Sequence, residues 1–145
     1  MEAAKIIETL ELIPHPEGGH YRETWRDEPD DGSRGVLSLI YYLLCEGERS
    51  HWHWVDAVET WHYYAGAPIG LGVCEPGDKV RNYCLGSDIL KGQQPQAIVP
   101  AKAWQSAVSM GAWTLVGCSV APAFSFDGFE MAPPGWEPGR RQGEP

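Results

Sequence analysis

Short runs of β-prone residues, separated by turns rich in glycine and proline, recur along most of this chain. Such runs are typical of strands, and many of them at near-regular spacing indicate a closed or double-sheet antiparallel barrel. The predicted strands cover residues 20–25, 36–44, the run that ends at Gly66, and residues 69–74, 80–85, 96–99, 105–110, 113–118 and 124–130. One helix is predicted over residues 3–12, where apolar residues recur at helical spacing and Pro14 ends it.

Three of the runs also predict how strands are placed. Residues 36–44 are apolar on both faces except for Ser38, a pattern typical of a central strand. Residues 69–74 and 80–85 flank the turn at 76–78 and predict a hairpin. Residues 105–110 and 113–118 flank Gly111 and predict another. In residues 20–25, Tyr21 and Glu23 share one face.

A length of 145 residues fits one domain with one core. We place this domain at residues 1–131 and expect residues 132–145, rich in proline and glycine, to be a disordered tail. Lys and Arg number 11 and Asp and Glu number 20, so the net charge is −9. This charge disfavours nucleic acid and anionic membranes as partners, because both present phosphates that basic residues must neutralise.

The four cysteines are widely spaced and form no CxxC pair, which disfavours a cysteine zinc site. The first twelve residues lack the basic start and apolar run of a secretion signal. We therefore expect reduced thiols and a cytoplasmic location. No apolar run approaches the ~20 residues that a membrane span needs.

Residues 47–66 concentrate the side chains that bind metals or move protons. His51 and His53 are two positions apart and are expected on the same side of an extended chain. Glu59 precedes a run of aromatic residues that can fix a carboxylate in place. The stretch resembles the first cupin motif, which has a glycine, paired histidines, a glutamate and a final glycine, although the gap from His53 to Glu59 is longer than usual.

Residues 100–105 resemble the second cupin motif, with Lys102 where glycine is usual and Gln105 where the fourth ligand is usually histidine. The whole chain resembles the DUF985 (cupin_5) subfamily through an ordered set of short sequence words. These are HPEGG at 15–19, YRET at 21–24, IYYLL at 40–44, ETWH at 59–62, QPQ at 94–96, VP at 99–100, WQ at 104–105 and GCSVAP at 117–122.

This resemblance implies a double-stranded β-helix, the cupin or jelly-roll barrel, with a pocket in the barrel mouth and a homodimeric assembly. It implies no settled reaction. Members of this subfamily are similar in shape to the sugar-nucleotide epimerases of the cupin class. For this chain, the resemblance therefore suggests a small polar or sugar-like ligand and isomerase activity.

Two interpretations of the site remain open on the sequence alone. In the first, His51, His53 and Glu59, with Gln105 as a weak donor, hold a divalent transition metal. In the second, His53 is a catalytic base that Glu59 orients, without a metal. A purely structural His–Glu pair is the third interpretation of the same residues.

Further side chains are candidates for binding the ligand. Tyr21 and Glu23 share a face that can line the pocket, and Ser38 can point into the barrel. Trp61 can stack on a sugar ring, while Tyr21 or Tyr63 can supply an acid. Gln105 is expected to position the ligand, because a polar side chain inside a small barrel needs a partner. His15 and Glu17 are expected only to cap a turn.

The sequence thus supports three functions: a metal-independent epimerase or isomerase, a metal-dependent cupin such as a dioxygenase, and a non-catalytic small-molecule binding protein.

Overall fold

The computed structural model describes residues 2–139, which form one α-helix and eleven β-strands. The helix, α1, covers Glu2–Leu10. The strands are β1 Ile13–Pro14, β2 His20–Arg26, β3 Ser38–Cys45, β4 Arg49–Val55, β5 Val58–Gly66, β6 Ile69–Cys74, β7 Arg81–Leu85, β8 Gln96–Val99, β9 Trp104–Ser109, β10 Trp113–Ala121 and β11 Phe129–Met131.

The strands form two antiparallel sheets that share one core. Sheet A has the order β1-β2-β3-β10-β5-β8, and sheet B has the order β11-β4-β9-β6-β7. Strand β3 lies between β2 and β10, so the central position predicted for residues 36–44 is confirmed. The predicted fold class is confirmed as well, because the chain is an all-β jelly roll with one short N-terminal helix.

The core lies between the two sheets. Tyr42, Trp61 and Val116 enter it from sheet A, and Ile69 and Leu71 enter it from sheet B. Each of these side chains is almost fully buried, and apolar burial of this kind contributes roughly 25 cal/mol per Å². A second, smaller apolar cluster is formed by Val55, Ala57 and Val120, with Phe124 and Phe129 packed against it.

The helix ends earlier than its apolar spacing predicts. Glu11 has a φ of 55°, a left-handed conformation that stops the α-helix at Leu10. The amide of Leu12 then donates to the carbonyl of Ile7 at 2.9 Å and satisfies one of the last helical carbonyls. A left-handed residue, and not Pro14, therefore ends the helix.

One predicted hairpin is confirmed and the other is wrong. Strands β6 and β7 pair with Ile69 opposite Leu85, as expected. Strands β9 and β10 do not pair, because β9 joins β4 and β6 in sheet B while β10 joins β3 and β5 in sheet A. The turn at Gly111 carries the chain from one sheet to the other. Local alternation cannot distinguish this crossing from a hairpin.

The segment after β11 follows the outside of sheet B. Ala132 is buried, and the Trp136 ring lies 4.3 Å from that of Trp104 and 6.5 Å from that of Trp52. Of the tail predicted to be disordered, residues 140–145 lie outside the described residues. No helix within residues 2–139 is long and apolar enough to cross a membrane.

Candidate functional site

A pocket of about 60 Å³ lies beside this smaller apolar cluster, at one end of the barrel. Its charged and titratable lining consists of His15, Glu17, Tyr21, Glu23, Arg26, His53, Glu59 and Cys118. Its apolar wall includes Val55, Val120, Phe124 and Phe126. The volume suits a molecule of a few heavy atoms. The concentration of titratable groups in an enclosed pocket makes it the candidate functional site.

Two glycines place Glu17 in this pocket. Gly18 has a φ of 109° and Gly19 a φ of 75°, which side-chain-bearing residues rarely adopt. A Cβ on Gly18 would also collide with the carbonyl oxygen of Arg49 on β4. The close approach lets the amide of His51 donate to the carbonyl of Glu17 at 2.9 Å. The 15–19 loop is thereby pinned to β4 with the Glu17 side chain turned inward.

His53 and Glu17 share a proton in the floor of the pocket. Nδ1 of His53 lies 2.8 Å from the carbonyl oxygen of His51, and because a carbonyl only accepts, Nδ1 carries a proton. Nε2 lies 2.8 Å from Oε2 of Glu17. A contact this short needs one proton between the two atoms. The pair is therefore either an imidazolium with a carboxylate or a neutral imidazole with a carboxylic acid.

The surroundings favour the ionic form of this pair. Burial alone would lower the pKa of His53, but the charge and hydrogen bond of Glu17, with the charge of Glu59 added, raise it to about 9. Burial opposes ionisation of Glu17, yet the charge and hydrogen bond of His53 hold its pKa below the usual value. At neutral pH, His53 is positive and Glu17 is negative.

His15 is neutral in the same pocket. Its Nδ1 accepts a hydrogen bond from the backbone N–H of Glu17 at 3.1 Å, so that nitrogen carries no proton. Burial lowers the pKa of His15, which agrees with the neutral form. Its 3.8 Å approach to the Glu17 carboxylate is therefore not an ion pair.

A hydrogen-bonded chain from the core fixes Glu59. The indole N–H of Trp61 donates to Oε1 of Gln105 at 2.8 Å, and Nε2 of Gln105 donates to Oε1 of Glu59 at 2.9 Å. An indole nitrogen only donates, so the amide orientation of Gln105 is determined by Trp61. Gln105 thus presents N–H groups, and not its oxygen, to the carboxyl group.

Glu59 titrates near neutrality. Burial raises its pKa to about 7, with the charge of His53 and the Gln105 hydrogen bond opposing the rise. The buried thiol of Cys118 lies beside it, and burial together with the charge of Glu59 raises the pKa of that thiol well above its usual value. Glu59 is therefore a carboxyl group that can exchange a proton under ordinary conditions.

The rim of the pocket is held by hydrogen bonds between elements. Arg26 donates through Nε and Nη2 to the two carboxylate oxygens of Glu23, at 2.9 and 2.8 Å. Its Nη1 donates to the carbonyl oxygen of Phe124 at 2.7 Å. Ser38 accepts from the amide of Phe124 at 2.8 Å. The loop that carries Phe124 is thus attached to β2 and β3.

The structure brings together only part of the predicted site. His53, Glu59, Tyr21, Glu23 and Ser38 line the pocket. The others do not. Gln105 contacts the Glu59 carboxyl group without lining the pocket, and Trp61 is buried in the core. Tyr63 donates its hydroxyl to the carbonyl of Gly66. Nε2 of His51 lies 3.0 Å from the carbonyl oxygen of Pro133.

The prediction that His51 and His53 lie on the same side of the strand is wrong, because β4 is irregular at this point. The register of β4 against β9 shifts between Ser50 and His53, and Trp52 and His53 are both buried in succession. A β-bulge of this kind breaks strict alternation. The carboxylate that binds His53 is likewise Glu17, and not Glu59 as expected.

The predicted metal ligands do not fit a metal in this arrangement. Both ring nitrogens of His53 are engaged, His51 lies apart, and the oxygen of Gln105 accepts from Trp61. Within residues 2–139, no group of three or more His, Cys, Asp or Glu side chains is placed to hold a metal ion.

Sequence reasoning missed Glu17, His15 and Arg26. Glu17 and His15 lie in a loop rich in proline and glycine, a setting that favours turn capping. The available signal is the pair of adjacent glycines, which permits a close backbone approach and can turn a loop inward. Arg26 lines the pocket because the register of β2 against β3 shifts between Glu23 and Trp25.

This fold and this site define a jelly-roll protein of the cupin type, with a pocket at one end of the barrel. The chain belongs to the cupin superfamily, in the family described as DUF985, whose model matches residues 4–132. No curated protein matches the sequence.

Solved structures agree with this assignment. A protein from Shewanella oneidensis is 39% identical, with a TM-score of 0.85 over 90% of this chain and 84% of its own. A hypothetical protein from Leishmania major is 31% identical, with a TM-score of 0.80 over 90% and 86%. The oxalate decarboxylase from Lactobacillus farciminis, in a formate complex, is 16% identical, with a TM-score of 0.61 over 85% of this chain and 34% of its own, and shows the fold alone.

Proposed function

We propose that this chain is an enzyme of the isomerase or epimerase type that moves a proton on a small polar ligand. The observation that carries the proposal is the placement of Glu59, a buried carboxyl group in the pocket wall with its Oε1 fixed by Gln105 at 2.9 Å. A proton-transfer catalyst needs a positioned group that can both accept and release a proton.

The proposed base is Glu59, and not His53 as the sequence suggests. Both nitrogens of His53 are occupied by His51 and Glu17, so the ring has no lone pair to offer a ligand. Glu59 has no hydrogen bond to His53 and is stabilised as a carboxylate by the N–H of Gln105. The positive charge of His53 supports that ionised form from within the pocket.

Tyr21 supplies the facing acid. It lines the pocket from β2, and its ring lies 4.4 Å from that of His15 in an edge arrangement. Tyr63, the other candidate, is engaged with Gly66. In the proposed reaction, Glu59 takes a proton from a carbon next to a carbonyl group while Tyr21 donates one to the carbonyl oxygen. In an α-hydroxy carbonyl ligand, Glu59 then returns its proton to the former carbonyl carbon while the Tyr21 oxygen takes a proton from the neighbouring hydroxyl group. The carbonyl group thereby moves by one carbon, which gives an isomer with no net oxidation.

Exchange of hydrogen with deuterated water tests this proposal without an identified substrate. The protein is incubated in D₂O with small hydroxy-aldehydes, hydroxy-ketones and hydroxy-acid amides, and mass spectrometry measures deuterium at carbon. The wild type should catalyse exchange, and Glu59→Gln should lower the rate by roughly 10²–10⁴-fold, the usual contribution of a general base. Tyr21→Phe should lower it too.

Glu46→Gln is the matched control, because it is the same chemical change at a residue outside the pocket. Glu46 is exposed in the turn before β4. Exchange that persists at the wild-type rate in Glu59→Gln contradicts the proposal. A ligand that raises the melting temperature but returns without deuterium identifies a binding protein instead.

A further inference from the structure

Among the lining residues described above, every full charge apart from that of Glu59 has an opposite charge beside it. Glu17 and His53 are paired at 2.8 Å in the floor. Glu23 and Arg26 are paired at 2.8 Å at the rim. Glu59 has a neutral partner, the Gln105 amide, so it adds either no charge or one negative charge. The net charge of the lining is therefore zero or negative.

Arg26 is the cation at the rim of the pocket, and its charge is already compensated. Two of its nitrogens contact the two carboxylate oxygens of Glu23, and the third contacts a backbone carbonyl of the Phe124 loop. Such a bidentate pair is the geometry in which arginine binds carboxylates. Glu23 thus occupies the place that a ligand carboxylate would take.

The remaining polar lining is neutral. His15 is uncharged and retains an Nε2–H donor, because its Nδ1 accepts from the Glu17 amide. Tyr21 and Ser38 bring hydroxyl groups to the same space. These groups match hydroxyl, carbonyl and amide groups of a ligand, whereas an anion would lose its hydration without gaining a free cation.

We infer that the pocket binds a small uncharged molecule bearing hydroxyl, carbonyl or amide groups, and that Glu23 excludes anions of the same size by neutralising Arg26. This inference specifies the ligand class of the proposed function and therefore rests on it. Glu23 is a specificity-determining residue and takes no part in proton transfer.

Lactamide and lactate test the inference, because they have the same shape and size and differ in charge. Each is titrated into ¹⁵N-labelled protein, and affinities are read from amide chemical shifts. The wild type should bind lactamide at least about tenfold more tightly than lactate. Glu23→Gln should gain about tenfold or more in affinity for lactate, because Arg26 is then uncompensated.

Two control variants distinguish an effect of the Arg26 charge from a general disruption of the pocket. The double variant Glu23→Gln, Arg26→Gln removes both charges and should lose the gain in lactate affinity. Glu46→Gln makes the same charge change far from the pocket and should bind both molecules as the wild type does. A gain of lactate affinity in all three variants would mean that the effect is not specific to Arg26, and would overturn the inference.

Equal binding of lactate and lactamide by the wild type overturns the inference, as does absence of lactamide binding or a Glu23→Gln variant that gains nothing. The measurement involves no turnover, so the two proposals can fail separately. Selective lactamide binding without any deuterium exchange would remove the proposed reaction and leave the ligand class standing.

Discussion

The Nε2 atom of His53 lies 2.8 Å from Oε2 of Glu17, which joins strand β4 to the loop that precedes β2. This contact replaces the His–Glu pairing within residues 51–59 that the sequence suggests. It commits His53 to a structural and electrostatic role, and it leaves Glu59 as the carboxyl group that can act on a ligand. The two side chains therefore have separate roles, although they line the same pocket.

Substitutions of Glu17 should destabilise the fold in a defined order. Glu17→Leu leaves Nε2 of His53 buried without a partner, and breaking a buried pair from one side costs about 3–5 kcal/mol. Glu17→Gln should cost less, because its amide N–H can donate to the neutral ring. Urea unfolding measures both. Equal costs for the two variants would contradict the assignment of a shared proton.

Gly18 should tolerate no side chain. Gly18→Ala adds a clash with Arg49 to an unfavourable φ of 109° and should displace Glu17 from the pocket. Gly47→Ala is the matched control, since Gly47 has a φ of 82° with nothing near its Cβ. The control should cost about 1–2 kcal/mol, the penalty of the left-handed conformation alone, and Gly18→Ala clearly more. Similar losses on thermal unfolding would mean that the close approach to β4 is unimportant.

Gln105 should set the proton affinity of Glu59. Gln105→Met keeps the volume but removes the N–H that stabilises the carboxylate, so the pKa of Glu59 should rise above its value of about 7. Trp61→Phe should destabilise the protein by about 1–3 kcal/mol by orphaning the Gln105 oxygen. It should raise the pKa of Glu59 less than Gln105→Met does, because the freed amide can still donate to the carboxylate. Carbon-13 NMR of the Glu59 carboxyl group reports this pKa in both variants. A rise in the Trp61→Phe variant alone would contradict the hydrogen-bond order.

Stability should fall as pH rises through neutrality. His53 has a raised pKa of about 9, so its contribution is complete below its ordinary value of 6.5 and is lost as pH approaches 9. Glu59 has a pKa raised from 4.5 to about 7, so its ionisation in the folded state destabilises the protein over that interval. The lowered pKa of Glu17 acts outside this range, because its contribution is complete above its ordinary value of 4.5 and is lost only as pH falls below it.

Urea unfolding across this range distinguishes the two groups. In Glu59→Gln the loss of stability below pH 7 should diminish, while the loss above pH 7 should remain because His53 still titrates there. A wild-type stability that increases steadily from pH 5 to pH 9 would contradict both assignments, since the linkage of these raised pKa values requires a decrease.

Much of the fold can be predicted because strand signals are local. Alternation and turns locate β3, β6 and β7 within a residue or two of their bounds. Strand partners are not local, and for that reason the turn at Gly111 has the sequence pattern of a hairpin although it connects two sheets. The bulge near His53 is equally hidden, because it depends on the pairing of β4 with β9.

The site is harder to predict than the fold. Glu59 and His53 carry a motif resemblance and lie in the pocket, whereas Glu17 lies in a loop whose inward turn depends on contact with Arg49. Gln105 lies inside the barrel as expected, but its sequence neighbours do not reveal that Trp61 fixes its amide. Contacts between distant segments decide these roles.

Nitrogen-15 NMR of the His53 imidazole across pH decides between an ion pair and a neutral pair with Glu17. We predict an imidazolium with protons on both nitrogens that persists until pH approaches about 9. In Glu17→Gln the ring should become neutral at much lower pH, with the remaining proton on Nδ1. A His53 that titrates near 6.5 in the wild type, unchanged by Glu17→Gln, would contradict the buried ion pair.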